Sequence, residues 1–365
     1  MSMSDTPARD TSARDTSARD TSARDKGRKP RLTVKDLARD LGMSVSTVSR
    51  AFHPHAIIAQ QTRDLVLARA AEIGYRPNPF ARSLITKRTS IIGLVVSDIT
   101  NPFYPEVVTR LTEDLRAIDM NVMLVAASAT GDIDDAVRLL LTYQPDMAII
   151  LASKLSSEAH RACGEAGTPV IFFNRLSSDG DAFGVTCDNI AGGAQVADFL
   201  IDRGHRRLAY VAARPDASTN LERRAGFVER AVARGLDAPV CIEAGLFSYE
   251  AGYAAAPTFG KLTPQPDGVF CANDILAIGF MDGVRRELGL AIPDDLSVVG
   301  FDDVAMAAWP SHALTTVRQP VDEMLKSTVE IVRKLATHAS AEPFVRRIPP
   351  AGLVERQTTR DRHAR

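Results

Sequence analysis

The sequence of 365 residues contains little cysteine and no long apolar segment. Its cysteines, Cys163, Cys187, Cys241 and Cys271, lie far apart and form no C-x-x-C pair, which argues against a metal site or a dithiol redox motif. Isolated thiols are typical of a reducing cytoplasm. The apolar run at 91–96 is far too short for a membrane span, and no apolar signal region opens the sequence. We therefore expect a cytoplasmic protein with no bound metal and no membrane partner.

Motifs that bind nucleotide phosphates or present a catalytic nucleophile are also absent. No G-x-G-x-x-G follows the first apolar run, and neither a G-x-x-x-x-G-K-[ST] loop nor a G-x-S-x-G elbow occurs. His205, in "RGHRR", lies in a predicted turn before a strand, and we interpret it as structural. The sequence therefore predicts a protein that is not an enzyme and needs no cofactor.

Charges of opposite sign are concentrated in different parts of the chain. Residues 26–88 contain 13 Lys and Arg against 4 Asp and Glu, whereas residues 89–365 contain 27 against 36. The resulting +9 and −9 almost cancel in the total net charge of −1. A basic amino-terminal segment on an acidic body favours nucleic acid as a partner, although a solvated basic face would give the same count.

The first 30 residues are dominated by a repeat. The sequence "TSARD" occurs at 11–15, 16–20 and 21–25 and contains no large apolar side chain. Such a segment cannot offset the entropy that ordering costs. We expect residues 1–30 to be a disordered tail, or else an extension upstream of the true coding start.

The basic segment predicts two short helices joined by a tight turn. Thr33 is placed to cap a first helix with one apolar face, and Gly42 supplies the chain reversal. Ser44 is placed to cap a second helix, in which Val48 and Phe52 face inward. Two short helices with a glycine-containing turn between them form a helix-turn-helix.

The outer face of the second predicted helix combines small hydroxyl side chains with one arginine. Small side chains let a helix enter the major groove deeply while still bonding to phosphates and base edges. An arginine can hold a guanine edge with two hydrogen bonds. An ordinary helical hairpin with a polar face is the alternative. The outward residues are Ser46, Thr47, Ser49 and Arg50.

A third helix is predicted at 60–73, followed by a very short one at 80–85. Asn78 is placed to cap the short helix, which is too short to be stable alone and should order only against a partner. Leu84 stands near Arg82 in a basic setting, as in an apolar wedge that enters the minor groove and kinks the duplex. A plain basic linker is the alternative.

Three motifs, "TVKDLARDLGMSVSTVSRAF" (33–52), "GYRPN" (74–78) and "ARSL" (81–84), resemble the DNA-binding region and hinge of the lac repressor (LacI/GalR) family of bacterial transcription regulators. The resemblance implies that Val45, Ser46 and Arg50 contact base edges and that Leu84 enters the minor groove at the operator centre. The predicted DNA-binding residues are therefore Thr33, Ser44, Val45, Ser46, Thr47, Ser49, Arg50, Tyr75, Asn78, Arg82 and Leu84.

Two positions depart from the family pattern. His53 stands where the family has an asparagine, and Ala59 stands where a hydroxyl residue caps the third helix. A missing N-cap costs a helix about 0.5–2 kcal/mol.

From residue 90 onward, short apolar runs alternate with amphipathic segments. Continuous β-branched runs separated by helical patterns predict buried parallel strands in doubly wound sheets. We expect two subdomains within residues 90–356, followed by a flexible tail at 357–365, because one sheet rarely organises so long a segment. The predicted strands are "IIGLVV" (91–96), "VMLVAA" (122–127), "MAIILA" (147–152), "VIFF" (170–173), "LAYVAA" (208–213), "GVFC" (268–271) and "SVVGF" (297–301).

Polar and aromatic side chains follow several of these runs. Ligands of open α/β sheets bind beyond the carboxyl ends of the strands, and aromatic rings with amides, carboxylates and arginines suit a hydroxylated or heteroaromatic molecule. Because Asn, Asp and Ser also cap helices, Asp274 is interpreted as a cap. The strand-end residues are Asn101, Phe103, Tyr104, Asn174, Arg175, Ser218, Thr219, Arg223, Asn273, Asp302 and Asp303.

The body resembles the same family through "NPFY" (101–104), "ERRAGF" (222–227) and "LTTVRQP" (314–320). The resemblance implies a periplasmic sugar-binding fold whose two subdomains close over an effector, with chain crossings near Asp188, Gln319 and Arg347. With the strand ends, it gives the predicted effector-binding residues Phe103, Tyr104, Asn174, Ser218, Arg223, Phe247, Asn273 and Asp302.

The predicted architecture is an all-α helix-turn-helix domain (31–78) joined by a hinge helix and linker (79–89) to an α/β body of two doubly wound parallel-sheet subdomains. We expect a homodimer that binds pseudo-palindromic double-stranded operator DNA and acts as a transcriptional regulator, most simply a repressor, controlled by a carbohydrate-like effector. A purine- or nucleoside-responsive regulator and a receptor-like solute-binding protein are the alternatives. Inducer and corepressor polarity both remain open.

Overall fold

The computed structural model describes residues 32–53, 56–78, 83, 88–127, 133–151, 155–176, 182–337 and 342–363. Its contacts divide the chain into two units, residues 1–81 and 82–365. The predicted tail at 1–30 and the predicted hinge residues Arg82 and Leu84 lie outside the described residues. Within the described part, no helix is long and apolar enough to span a membrane, and no three potential metal ligands cluster.

The first unit contains three helices, α1 (Val34–Asp40), α2 (Val45–Ala51) and α3 (Gln60–Ile73). Gly42 between α1 and α2 has φ 62°, and Gly74 after α3 has φ 71°, a backbone region that glycine adopts without steric cost. The bounds of α3 confirm the helix predicted at 60–73. The helix-turn-helix prediction is therefore confirmed element by element.

The core of the first unit is small and continuous. Leu37, Val48 and Val66 are fully buried, one from each helix. Phe52 and Tyr75 pack edge to face, with ring centroids 5.6 Å apart. Because each helix contributes to one apolar cluster, none of the three short helices has to be stable alone.

The second unit contains twelve strands among its described residues. They are β1 (Ile91–Val96), β2 (Asn121–Ala126), β3 (Met147–Leu151), β4 (Val170–Phe173), β5 (Phe183–Cys187), β6 (Leu208–Ala212), β7 (Val240–Glu243), β8 (Gly268–Cys271), β9 (Ser297–Asp302), β10 (Thr315–Arg318), β11 (Val345–Ile348) and β12 (Gly352–Val354).

Eight helices accompany these strands in the described part of the second unit. They are α4 (Phe103–Arg116), α5 (Ile133–Leu141), α6 (Ser157–Glu165), α7 (Asn189–Asp202), α8 (Ser218–Ala233), α9 (Tyr249–Gly260), α10 (Asp274–Glu287) and α11 (Val321–Thr337).

The strands form two six-stranded sheets. The first has the order β2-β1-β3-β4-β5-β11 and the second β7-β6-β8-β9-β10-β12. All pairs are parallel except β10 with β12. The strand order reverses between β1 and β3 and between β6 and β8, and in such sheets ligands bind at these switch points. We call the two halves the first and second subdomains.

The chain crosses between the subdomains three times. It leaves the first sheet after β5 at residue 188, returns at 319–320 after β10, and leaves again at 349–351 between β11 and β12. The crossings expected near Asp188 and Gln319 are confirmed, and the third lies just after Arg347, which belongs to β11. Neither subdomain is therefore a continuous segment of the chain.

The predicted flexible tail at 357–365 is wrong for residues 357–363. The Thr358 hydroxyl donates to the carbonyl of Val298 (2.7 Å) and accepts from the N–H of Thr315 (2.9 Å). The N–H of Arg360 donates to the hydroxyl of Ser297 (3.1 Å). These bonds hold the segment along β9 and β10. Threonines can be buried there, in place of apolar residues, because their hydroxyl groups are paired.

Candidate functional site

Helix α2 presents its polar face to solvent. The Ser44 side chain accepts from the N–H of Thr47 (3.0 Å) and so caps the helix. Ser46 and Arg50 are exposed, and so is Val45, at 42%. Thr47 and Ser49 are half-buried. The side chains that the sequence predicts for base and phosphate contacts are therefore free to approach a partner surface.

Arg50 is held in place before any partner binds. Its guanidinium donates to the hydroxyl of Ser46, one turn earlier, at 3.0 Å. Such a bond reduces the rotamer entropy that an arginine loses on binding. The second guanidinium nitrogen and Nε make no hydrogen bond within the described residues, which leaves one edge of the fork for a base or phosphate.

Arg63 of α3 anchors the chain that precedes the uncapped helix. Ala59 makes no side-chain cap bond, as the sequence predicts. Arg63 instead donates to the carbonyls of Ala51 (3.0 Å), His53 (2.6 Å) and Ala56 (2.8 Å). It thereby ties the end of α2 to the chain that leads into α3 and fixes the orientation of the two helices.

The other predicted DNA-binding residues of this unit lie in different settings. Thr33 forms a capping box with Asp36, and both its N–H and its hydroxyl donate to that carboxylate at 2.9 and 2.7 Å. Tyr75 is only 8% exposed, and burial raises the pKa of its phenol. Its ring is thus part of the core, and a contact of Tyr75 with DNA stays a prediction. Asn78 is exposed.

The second unit brings strand-end residues of its two sheets together in a cleft. Phe103 and Tyr104 follow β1, and their rings lie 5.4 Å apart, edge to face. Asn174 follows β4, and its amide nitrogen lies 3.4 Å from the Tyr104 hydroxyl. Arg175, the next residue, lies 4.5 Å from the ring centroid of Phe247 in the second subdomain. One wall of the cleft is therefore aromatic and cationic.

The opposite wall is built around Arg223 of α8, one of the largest fully buried side chains. Its guanidinium donates to the Asn189 side chain (2.9 Å) and the Ala272 carbonyl (2.6 Å). It also forms an ion pair with Asp302 at 3.2 Å and stacks on Phe301, 3.7 Å from the ring centroid. A buried ion pair is tolerated only when its remaining donors are satisfied, as they are here.

Asp302 stands at the centre of the cleft. It accepts from the side-chain amide of Gln319 (2.7 Å) and from Asn273. Burial raises the pKa of Asp302, and the Arg223 guanidinium opposes this shift. Asp302 has φ 124° and Asn174 has φ 68°, so both strand ends adopt a backbone region that costs a non-glycine residue free energy. Such strain is concentrated at functional sites.

Close helix packing positions Arg223. A Cβ on Gly193 of α7 would collide with the backbone carbonyl of Arg223, and one on Gly226 of α8 would collide with the carbonyl of Ile190. Only glycine lets the two helices approach so closely. The packing therefore fixes the backbone from which the guanidinium reaches the cleft.

Two other predicted effector-binding residues form hydrogen bonds within the protein. The Ser218 hydroxyl accepts from the N–H of Leu176 (3.0 Å), which joins the two subdomains beside the cleft. Asn273 caps α10 through its carbonyl oxygen. Asp274, interpreted as a cap, instead accepts from the Thr316 hydroxyl (2.5 Å) and the N–H of Val304 (2.9 Å).

Several buried polar atoms near strand ends of the second unit have no hydrogen-bond partner within the described residues. They are Oγ of Ser97, Oδ1 of Asn174, Nε of Arg175 and Oε1 of Gln319. A cavity of about 380 Å³ adjoins Gln319 of this set, and its wall also contains Phe103, Asp302 and charged side chains such as Glu106, Arg110 and Arg318. Pockets of this size take small organic molecules, and unpaired buried groups need such a partner.

The sequence-based site omits three residues of this cleft. Arg175 was recognised at a strand end but was not included among the predicted effector-binding residues. Asn189 and Gln319 follow crossings between the subdomains, and neither lies at the end of a predicted strand. Their position at a crossing could have identified them, but a search limited to the ends of strands does not include the crossings.

Two family models match the chain. The one described as "Bacterial regulatory proteins, lacI family" matches residues 33–78, and the one described as "Periplasmic binding protein-like domain" matches residues 197–359. The HTH-type transcriptional regulator RegA of Clostridium saccharobutylicum is 32% identical over 311 residues, which cover 83% of this chain and 92% of RegA.

Two solved structures share this architecture over 90% of the chain. The lac repressor dimer bound to operator and the anti-inducer ONPF has a TM-score of 0.78 at 24% identity, with 99% of its chain covered. The transcriptional regulator CelR–cellobiose complex has a TM-score of 0.68 at 27% identity, with 100% of its chain covered. The likeness includes both units, each with its own fold.

Proposed function

The chain belongs to the lacI family of bacterial regulatory proteins, and from this membership we propose that it is a transcriptional repressor whose affinity for operator DNA is set by a small molecule bound in the cleft. The residue assignments are part of the proposal. Helix α2 reads the major groove through Val45, Ser46 and Arg50, and the cleft around Asp302 binds the effector.

One observation carries the proposal: a single chain contains both an exposed helix-turn-helix face and a cleft with buried, unpaired polar atoms. The first needs a polyanionic groove to use its hydroxyl and arginine side chains. The second needs a hydroxylated ligand to satisfy its amides and its guanidinium. A receptor-like solute-binding protein would need only the cleft and leaves the first unit without a purpose.

The proposed control uses two states of subdomain closure. An effector that binds one state more tightly shifts the population towards it, and its effect on DNA affinity cannot exceed that difference in binding free energy. The Ser218–Leu176 bond across the cleft belongs to the closed state. Both an inducer, which releases the operator, and a corepressor, which strengthens binding, are consistent with this scheme.

A homodimer fits this function, since two half-sites of a pseudo-palindromic operator match one two-fold axis. The relative CelR is seen with cellobiose and the lac repressor as a dimer on operator. The CelR complex supports a carbohydrate-like effector here, and the lac repressor supports a dimer. A purine or nucleoside regulator is the second candidate, because Tyr104 and Phe247 offer rings on which a base can stack. The proposal includes no catalytic step.

The test of DNA recognition is selection of operator sequences from a random pool, followed by Arg50→Ala. We expect the wild type to select a pseudo-palindrome and the variant to lose about 1–3 kcal/mol of discrimination at one base pair. Arg39→Ala on α1 is the matched control, since Arg39 pairs only with Asp36 on the exposed surface. Unchanged base preference in Arg50→Ala would remove Arg50 from the reading role.

The test of the cleft is Asp302→Asn, which keeps the side-chain shape but removes its charge. We expect this variant to bind operator and to lose the effector response, because Arg223 loses its ion pair and the ligand loses an acceptor. Asp294→Asn, at an exposed carboxylate before the amino end of β9 that pairs with Arg360, controls for charge. A full effector response in Asp302→Asn would place the ligand elsewhere.

A further inference from the structure

Arg175 is a buried cation that forms no ion pair within the described residues. It is 3% exposed, and its Nε has no hydrogen-bond partner. The guanidinium carbon lies 4.5 Å from the ring centroid of Phe247 and 5.6 Å from that of Tyr104. Two aromatic rings therefore hold the guanidinium in the cleft, where burying an unpaired charge is costly.

Several other charges near the cleft form ion pairs, whereas the buried carboxylate of Asp274 is held by neutral donors. Arg223 pairs with Asp302, Glu222 pairs with Arg347, and Asp303 pairs with Arg318 and Arg356. Asp98, half-buried at the edge, accepts from the Thr100 hydroxyl and forms no ion pair with Arg175 within the described residues. Arg175 is therefore a cation with which no described carboxylate pairs directly, although its charge helps to lower the pKa of Asp302, which burial raises.

An acidic side chain beside Arg175 would neutralise the guanidinium, but the residue there is Asn174. Asn174 is neutral, and its backbone at φ 68° would accept aspartate as readily as asparagine. Its Oδ1 is unpaired, as is Oε1 of Gln319, whose amide nitrogen is engaged by Asp302. Two free acceptors require hydroxyl or amine donors from a ligand.

We propose that the ligand of this cleft is a sugar acid whose carboxylate pairs with Arg175 and whose hydroxyl groups donate to Asn174 and Gln319. The proposal rests on the function proposed above and narrows its effector class. A carboxylate matches the planar guanidinium with two parallel bonds and supplies the ion-pair partner that Arg175 does not have among the described residues. A phosphate dianion would overcompensate the charge of Arg175.

The experiment measures binding of matched acid and neutral sugars to the purified full-length protein by isothermal calorimetry. The pairs are galacturonate and galactose, glucuronate and glucose, and ribonate and ribose, with gluconate and ribose 5-phosphate as further probes. We expect at least one carboxylate to bind about 10- to 100-fold more tightly than its neutral partner, the range of a charge-assisted bond in a buried site. The same acid should shift the affinity for the selected operator.

Two variants test the role of the Arg175 charge. Asn174→Asp provides the missing carboxylate beside Arg175, and we expect it to weaken binding of the acid at least about tenfold and to reduce the preference over the neutral sugar. Arg175→Gln should abolish the preference for the acid. Thermal unfolding without ligand identifies any variant that fails to fold. If one of the two does not fold, binding by the other decides the test.

Three results would overturn the proposal. They are a neutral sugar that binds as tightly as its acid, tighter binding of ribose 5-phosphate than of every carboxylate, and no carboxylate bound at millimolar concentration. In each case, selective operator binding by the same preparation would leave the proposed regulatory function standing. Absence of any operator preference would refute that function instead.

Discussion

Arg63 shows how one side chain can organise a small domain. Its three bonds to backbone carbonyls link α2, the following loop and α3, and it is half-buried while doing so. Hydrogen bonds from a charged donor contribute about 1.5–3 kcal/mol each at most, and they are not additive. A side chain with no recognisable role in a helical pattern is therefore central to the geometry of the first unit.

We expect Arg63→Met to loosen the first unit and to weaken DNA binding of every sequence alike. The methionine keeps the aliphatic stem but leaves three carbonyls without their donor. Hydrogen exchange of the α2 and α3 amides in the full-length protein measures the effect. Lys35→Met, at an exposed position of α1, is the control. Unchanged exchange rates in Arg63→Met would show that the clamp contributes nothing to stability.

At the scale of single residues, the sequence predicts which side chains face the core and which face solvent, but not the contacts that each side chain makes. Val48 inside and Arg50 outside follow from helical spacing, and both are as predicted. The packing of Tyr75 onto Phe52 was not predicted, because no periodicity shows that a residue just after a helix folds back. The charge balance of Arg175 likewise depends on long-range contacts, which neighbouring sequence does not contain.

Helix α3 begins without a side-chain cap, and this defect can be repaired. Ala59 has φ −59° and ψ 136°, the conformation that N-cap residues adopt. We expect Ala59→Ser to stabilise the helix by about 0.5–2 kcal/mol, because the new hydroxyl can accept from an unpaired N–H of the first turn. Slower hydrogen exchange at the start of α3 would show this.

Ala71→Ser, the same chemical change at an exposed position inside α3, is the matched control. There the hydroxyl meets no unpaired N–H, and serine has a lower helix propensity than alanine, so a small loss of stability is expected. Equal effects of the two substitutions would contradict the capping argument.

The contact between α7 and α8 depends on Gly226. A Cβ at this position would collide with the carbonyl of Ile190. We expect Gly226→Ala to destabilise the second unit by about 1–3 kcal/mol, because the two helices must move apart. Urea unfolding followed by the fluorescence of Trp309, the single tryptophan of the sequence, measures the loss.

Gly164 provides a control for this substitution within the same unit. It lies in α6 with an exposed surface, and a Cβ there would meet no atom within 4 Å. Gly164→Ala should raise stability by about 0.4–1 kcal/mol, because alanine has less conformational freedom in the unfolded chain. A loss of stability in both variants would point to an effect of alanine that is unrelated to helix packing.

Strand prediction works where a strand is buried on both faces. β1, β3, β4, β8 and β9 are buried along almost their whole length, and each coincides with a predicted apolar run. The edge strands β7 and β11 have mostly exposed residues and were not predicted. β5 and β10 were also missed, because "FGVTC" and "TTVR" contain glycine or threonine where an apolar run was sought.

The uneven charge of the whole chain predicts a steep salt dependence of DNA binding. The basic segment at 26–88 carries +9 and would face the phosphates in the proposed complex, while residues 89–365 are acidic. We expect the logarithm of the affinity to fall linearly with the logarithm of salt concentration, by about 0.9 per phosphate contact. Fluorescence anisotropy with a labelled operator at several salt concentrations gives this slope.

Arg50→Ala sharpens this measurement. If Arg50 contacts a base edge, the variant keeps the slope and loses selectivity; if it contacts a phosphate, the slope falls by about one. An affinity independent of salt in the wild type would contradict the assignment of the basic segment to DNA.

The overall organisation was largely predictable, but only part of it followed from periodicity. Alternating apolar runs and helices indicated two doubly wound sheets, whereas the three crossings followed from the family resemblance. The carboxyl-terminal segment was mistaken for a flexible tail, because its threonines pair through hydroxyl groups and leave no apolar pattern. Hydrogen bonds between distant segments are invisible to a local sequence pattern.

The three crossings also determine the order in which the ribosome completes the parts of the protein. The DNA-binding helices are finished by residue 78, whereas the first sheet lacks its last strand until residue 348 and the second until residue 354. Domains fold as they emerge during synthesis. Nearly every truncated translation product would therefore carry complete DNA-binding helices with an unfinished sensor, so only full-length synthesis yields a repressor that can be switched.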